Sequence, residues 1–302
     1  MRLQLLGRSD LRVSRVGLGC NNFGWRVDLE QTRRVVDAAL DAGINFLDTA
    51  DIYGGRGESE RFLGEVLRGR WDRVVLATKF GMDMGDGAGA RGAPEYVRRS
   101  VDGSLSRLGT DRIDLYYYHR PDGVTPLAET LGALDGLVRE GKIRYAGCSN
   151  FDAALLAEAE AAPAETRFVA VQNEYSLLDR TAEDEALPAA RRLGLAFVPY
   201  FPLASGLLTG KYRRGEPAPA GTRLEGRDDR LTDAVFDRLE AFDRFAAERG
   251  RSLLELAIAG LASEPGVASV IAGATSAEQV RANAAAADWD LGPAELDELR
   301  AL

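Results

Sequence analysis

The strongest constraint in this sequence is an alternation. Apolar runs of strand length recur along the chain, and each is followed by a stretch with the apolar spacing of a helix. The strand-like runs are residues 13–19, 44–48, 74–78, 114–118, 143–148, 168–172, 195–200 and 267–271. The helical stretches that follow them are 29–42, 59–67, 94–108, 126–139, 151–160, 182–192, the pair 233–249 and 252–263, and 276–286. A last helix, 293–302, closes the chain. Strands separated by crossing helices must pair in parallel. Eight such units in 302 residues is the count of an α/β protein built as a closed (β/α)8 TIM barrel, read here as a single domain over 1–302. The competing α/β architecture, an open doubly wound sheet, wants a glycine-rich phosphate turn after its first strand. GLGCNNFG at 17–24 lacks the third glycine at the right offset. Extra helices are expected after strand seven and at the C-terminus. Residues 3–5 and 11–13 flank the turn GRSD and are expected to form an N-terminal β-hairpin over the barrel bottom.

Composition narrows the function. The net charge is −9 with no basic block, which disfavours nucleic acid as a partner, since a phosphate backbone wants a basic stripe. No apolar run approaches the ~20 residues of a membrane span. The segment MRLQLLGRSD has no apolar core of signal-peptide length, so a cytoplasmic location is expected. Cys20 and Cys148 are far apart, read as reduced thiols, and no metal-ligand spacing accompanies them. There is one histidine, His119, and only Lys79, Lys142 and Lys211 among lysines. Few side chains can therefore titrate near neutrality, and those few stand out.

Four of the polar residues end or follow successive strands: Asp48 and Tyr53 after the second, Lys79 after the third, His119 after the fourth. In a barrel, successive strand ends are neighbours on one rim, where the long loops 81–92 and 213–230 also belong. A phenol with a reference pKa near 10 is a poor acid at pH 7. A lysine ammonium beside it is expected to lower that pKa, and Asp48 to hold the lysine charged and in place. Tyr53 is then a general acid toward a carbonyl oxygen, and neutral His119 hydrogen-bonds the same oxygen. Each residue alone has a plain reading. Asp48 could be a cap, Tyr53 a surface residue in a glycine loop, Lys79 a solvated strand end, and His119 a buried structural histidine. The four together, in strand order, point to a site. A barrel lyase with Lys79 as Schiff-base nucleophile is the rival chemistry, but Asp48 would keep that lysine protonated.

The segments GINFLDTADIYG, ATKFG, SLSRLGTDRIDLYYYHRPD, GKIRYAGCSNF, VQNEYS and YFPLASGLLTGKY, in this order between GLGCNNFG and GATSAEQVRAN, resemble the aldo-keto reductases. The resemblance implies the same barrel and puts the family's catalytic tetrad on Asp48, Tyr53, Lys79 and His119 without substitution. It implies reversible NAD(P)H-dependent reduction of aldehydes or ketones, sugar aldehydes included, and hence a small carbonyl or alcohol as partner. Ser149, Asn150 and Gln172 would hydrogen-bond the nicotinamide carboxamide, and Tyr200 would stack on its ring. Cys20, Asn21 and Asp48 would line the nicotinamide side. Phe201, Pro202, Leu203 and Ala204 would offer backbone groups to the pyrophosphate, with Lys211 nearby. Gly273, Thr275, Gln279 and Asn283 would surround the adenosine end, and Ser276 would cap the helix there. GATSAEQ contains no basic residue, so Arg223 or Arg281 is the candidate for a 2′-phosphate contact. NADP(H) is expected, with NAD(H) as the alternative. Phe23, Trp25, Tyr53, Phe80, Met82, His119 and Phe201 are candidate substrate-pocket walls, although aromatic and methionine side chains often only pack. Arg120 and Asp122 either face substrate or pair with neighbours. A nucleotide-binding, redox-sensing regulatory subunit of the same fold is the alternative function.

Overall fold

The computed structural model describes residues 1–302. Its strands are β1 Leu3–Leu5, β2 Arg12–Ser14, β3 Val16–Gly19, β4 Phe46–Asp48, β5 Val75–Phe80, β6 Ile113–Tyr118, β7 Ile143–Ser149, β8 Phe168–Glu174, β9 Ala196–Tyr200 and β10 Val270–Gly273. β3 to β10 form one parallel sheet in the order β10-β3-β4-β5-β6-β7-β8-β9. The ring is completed between β9 and the segment entering β10. There the Phe197 amide donates to the Gly266 carbonyl at 2.8 Å, and the Ala268 amide to the Phe197 carbonyl at 3.0 Å. The strands are buried on both faces, as the continuous apolar run of β6 shows.

Helices cover the outside, and several of their starts follow from side-chain caps. Asp28 accepts from the Gln31 amide at 2.8 Å and starts helix Leu29–Asp41. Asp152 accepts from the Leu155 amide at 2.8 Å and starts Ala153–Ala161. Ser252 and Glu255 form a reciprocal capping box at Leu253–Ser263. Ser276 caps Ala277–Ala285. Helix Asp233–Ala247 is the insertion after β9, and Pro293–Arg300 is the last helix.

Several boundaries differ from the sequence reading. β4 starts at Phe46 rather than 44, β8 runs to Glu174 rather than 172, and the helix expected over 182–192 starts at Ala186. Three others bear more on the fold. The first apolar run is two strands: β2 pairs antiparallel with β1, and only β3 enters the barrel. The division falls at Arg15, which is buried and reaches out to Asp290 and, at 3.1 Å, the Ala287 carbonyl. β5 continues to Phe80, so Lys79 lies inside a strand rather than after one. The last strand begins at Val270, and the residues before it supply the closing bonds instead.

The hairpin plugs one end of the barrel. Leu6, Leu11 and Val13 join Phe46, Leu115, Tyr117, Val169 and Val198 in an inner apolar cluster distinct from the larger shell between strands and helices. The turn carrying them sits directly on the barrel wall. Gly7 has φ +56°, and a Cβ there would lie 2.2 Å from the Val169 carbonyl oxygen. No helix is long and apolar enough to cross a membrane.

Candidate active site

The opposite rim gathers the titratable residues. Lys79 Nζ donates to Asp48 Oδ1 and, at 2.8 Å, to the Thr49 carbonyl. The other Asp48 oxygen accepts from Gln172 Nε2 at 2.8 Å. All three side chains are buried, so the ion pair is held by hydrogen bonds where water cannot solvate it. The Lys79 ammonium stands 5.1 Å from the Tyr53 ring centroid. The Tyr53 ring in turn meets the His119 ring edge to face, with centroids 6.0 Å apart. The four residues read as a tetrad thus lie together.

Local structure fixes Tyr53. It begins a tight turn in which Gly54 has φ +69°, and a Cβ on Gly54 would fall 2.5 Å from the Phe23 carbonyl oxygen. Beyond the turn, buried Glu60 accepts from Thr78 Oγ1 at 2.6 Å and from Arg107 Nε at 2.7 Å. Thr78 is the neighbour of Lys79 in β5, so this brace ties the segment after Tyr53 to the strand that carries the ammonium.

Burial sets the electrostatics. It would lower the Lys79 pKa, but Asp48 and Tyr53 outweigh it and the ammonium is raised above its ordinary value. Burial raises the Asp48 carboxyl, opposed by Lys79 and Gln172. Burial also raises the Tyr53 phenol, and Lys79 pulls it back only in part. The lowered phenol expected from sequence is therefore corrected here: desolvating a phenolate costs more than the ammonium returns. Tyr53 keeps its proton at neutral pH. His119 is lowered to about 3, by burial first and then by Lys79 and Arg120, so it is a neutral imidazole. Its Nδ1 is buried and has no partner.

Asn150 organises the next layer. It sits just past β7 in the left-handed region, φ +61°, which asparagine tolerates. Its side-chain nitrogen donates to the His119 carbonyl at 2.9 Å and to Ser149 Oγ at 3.1 Å, and its oxygen accepts from Tyr200 Oη at 2.8 Å. One residue thereby joins the ends of β6, β7 and β9.

Tyr53 and His119 open into a cavity of about 650 Å³. That size suits a small-molecule site. Cys20, Asn21, Asp48, Asn150, Gln172 and Tyr200 line it. So do Phe201, Pro202, Leu203, Lys211 and Arg223 from the β9 side, and Gly273, Thr275, Gln279 and Asn283 beyond β10. Met82 is also on the wall. Several expected residues are elsewhere. Ser149 is buried behind Asn150, Ala204 lies beside the cavity without lining it, and Lys79 stays beneath Tyr53. Phe23 is fully buried in the shell core. Phe80 is stacked between Tyr116 and Tyr118, at 4.9 and 5.0 Å, as packing rather than wall. Trp25 is 64% exposed. Burial pushes the Cys20 thiol well above its ordinary pKa although the residue borders the cavity.

The loop after β9 is strained where it meets the cavity. Phe201, Ala204 and Ser205 all have positive φ without being glycine, a cost of about 1–3 kcal/mol each that tends to mark binding sites. The loop is tied across to the segment after β3. Arg223 Nη2 donates to Asn22 Oδ1 at 3.0 Å, and its guanidinium lies 5.7 Å from both the Trp25 and Phe201 ring centroids. Arg26 reaches the Gly221 and Thr222 carbonyls at 3.3 Å. Burial, then Arg26 and Arg223, lower the Lys211 ammonium. Three crowded cations beside left-handed backbone fit a phosphate-bearing ligand. Arg281 is turned toward Glu278 and does not line the cavity. Sequence reasoning missed Asn22 and Arg26. Asn22 follows directly on Asn21 in GLGCNNFG, but Arg26 has no local signal. No group of three histidine, cysteine, aspartate or glutamate residues stands where it could hold a metal ion.

Comparison with known proteins agrees with this geometry. The sequence profile of the Aldo/keto reductase family matches residues 15–302. The chain is 42% identical to the uncharacterized oxidoreductase YrpG of Bacillus subtilis, over 93% of this chain and 89% of that one. It is 36% identical to a probable voltage-gated potassium channel subunit beta of Oryza sativa, over 100% and 96%. It is 34% identical to L-glyceraldehyde 3-phosphate reductase of Escherichia coli, over 94% and 86%. On the profile match, the identities and the eight-stranded barrel that carries them, the chain belongs to the aldo/keto reductase family.

Proposed function

We propose that this protein reduces aldehydes or ketones to alcohols, reversibly, with Tyr53 as the proton donor and NADP(H) as the redox partner. The observation that carries this reading is Tyr53 at the cavity wall, with the buried Lys79 ammonium 5.1 Å from its ring centroid and the His119 ring edge to face at 6.0 Å. A bound nicotinamide would supply hydride to the carbonyl carbon. The carbonyl oxygen takes the proton from Tyr53, and Lys79 stabilises the phenolate left behind. His119, uncharged, hydrogen-bonds the same oxygen and orients it without competing as an acid. Asp48 keeps Lys79 charged and is itself held by Gln172.

Asn150, Gln172 and Tyr200 are the groups we assign to the nicotinamide end, and Thr275, Gln279 and Asn283 to the adenosine end. Lys211 and Arg223 follow β9, between these ends, and Arg26 reaches the same loop from beyond β10; together they support a cofactor rich in phosphate, hence NADP(H) before NAD(H). Two buried free thiols suit a reducing compartment, and we assign the protein to the cytoplasm. The test is Tyr53→Phe. NADPH should still bind, followed by fluorescence titration, while turnover of a simple aldehyde falls by at least about a hundredfold. Equal turnover in the variant rules the reading out. Arg223→Ala should weaken NADPH more than NADH.

A second reading is a nucleotide-binding, redox-sensing regulatory subunit. The relative named as a potassium channel subunit beta, alignable over the whole chain, favours it. Failure of NADPH consumption across a broad carbonyl panel, with cofactor still bound, would select this reading over the first.

A further inference from the structure

We propose that Arg120 makes this cavity selective for small carbonyl substrates bearing a carboxylate or phosphate, an inference that rests on the reductase reading above. The chain as a whole carries −9, yet Arg26, Arg120, Lys211 and Arg223 line the cavity. Its one acidic lining residue, Asp48, is already paired with Lys79. Such a wall concentrates positive potential inside an acidic protein and draws anions to it.

The four cations are not one cluster. Arg26 follows β3, and Lys211 and Arg223 follow β9, so these three stand on the arc that flanks β10. Arg120 follows β6, which is four strands from β10 in either direction around the ring. It therefore faces the first three across the mouth, on the side of His119. A ligand whose phosphates are held on the β9–β10–β3 arc leaves Arg120 for something else.

Several acids on the loops after β5, β6 and β7 are committed, whereas Glu174 at the end of β8 makes no ion pair and acts on Tyr200 against Arg120. Asp122 accepts from the Gly92, Val124 and Thr125 amides at 2.7–2.9 Å and from the Thr125 hydroxyl at 2.7 Å. Asp83 pairs with Arg91 at 2.9 Å, and Asp86 with Arg99 at 3.4 Å. Asp152 caps its helix. Arg120 itself is exposed, lines the cavity and makes no side-chain hydrogen bond or ion pair. Its guanidinium fork stays available for the two oxygens of a carboxylate or phosphate. Its charge is felt at the site, since it contributes to keeping His119 neutral and lowers the Tyr200 phenol against the effect of burial. Ile52 and Met82, also on the wall, are apolar and offer an anion nothing.

The test compares 4-oxobutanoate with neutral butanal, and glyceraldehyde 3-phosphate with glyceraldehyde, in wild type, Arg120→Gln and Arg120→Lys with NADPH. Wild type should prefer the anionic member of each pair, and the preference should shrink as salt is added. Arg120→Gln should lose roughly ten- to hundredfold in kcat/KM for the anionic aldehydes, the range expected for one charge-assisted contact, and within about threefold for the neutral ones. Arg120→Lys should recover part of the loss. The two pairs separate carboxylate from phosphate. Equal losses for charged and neutral aldehydes, or no preference in wild type, would overturn the assignment of Arg120 and leave the reductase reading standing. If no aldehyde turns over, that reading falls by itself. Calorimetric titration with succinate in excess NADPH then decides the anion site: weaker binding to Arg120→Gln supports it, and equal binding overturns it.

Discussion

Tyr53 and His119 show how much one side chain's meaning depends on burial. Both are raised or lowered chiefly by desolvation, and in each case the neutral form is the one favoured. On the proposed reading, this fixes the pH behaviour. Reduction needs the phenol protonated, and a raised pKa keeps that proton on as pH rises through neutrality. Carbonyl reduction should therefore stay level between about pH 6 and 9 and fall only near or above the ordinary phenol value of about 10. Alcohol oxidation needs the phenolate and should rise across the same range. His119, at about 3, should contribute no limb between pH 5 and 8. Profiles of kcat/KM in both directions check this, and a limb near pH 6.5 that disappears in His119→Gln would contradict it. The identities of these residues were legible because the sequence is so poor in lysine and histidine. The direction of the Tyr53 shift was not, because sequence shows the ammonium but not the dry surroundings that outweigh it.

Elements place these side chains, and the tight turn after β4 has the least freedom. Gly54 occupies a left-handed conformation with the Phe23 carbonyl directly where a Cβ would stand. Gly54→Ala should cost about 1–3 kcal/mol by denaturant unfolding and lower kcat more than it raises KM, since it moves Tyr53 and leaves the rest of the cavity wall in place. Unchanged kinetics would show that Tyr53 is positioned from elsewhere, for instance by the Glu60 brace. Strand and helix existence could be read from period and length, but some ends could not. The run 13–19 contains Arg15 but does not reveal that the chain passes from one sheet to another there, nor that β5 extends two residues to enclose Lys79. Phe80 could not be separated from a cavity wall by sequence, because stacking between Tyr116 and Tyr118 joins residues from two strands. The ties from Arg26 and Arg223 across the mouth are equally long-range.

At the scale of the whole molecule, packing and chemistry occupy opposite ends of one ring. The count of eight alternations was enough to infer the barrel, and its completion uses Phe197 and Ala268 from the runs 195–200 and 267–271, with Gly266 just ahead of the second. Leu6, Leu11 and Val13 fill the hairpin end and none of the proposed site residues lies there, so Leu6→Ala should destabilise the fold by about 2–5 kcal/mol and leave kcat and KM of the folded enzyme unchanged. Denaturation midpoints with parallel kinetics test this, and a kinetic defect at equal stability would mean that the two ends communicate. The same burial that governs the acid has a consequence for durability. Only a thiolate attacks electrophiles readily, and Cys20 is held as S–H at the edge of the cavity. On the proposed reading, a cavity that admits aldehydes is thereby spared thiol adducts with them.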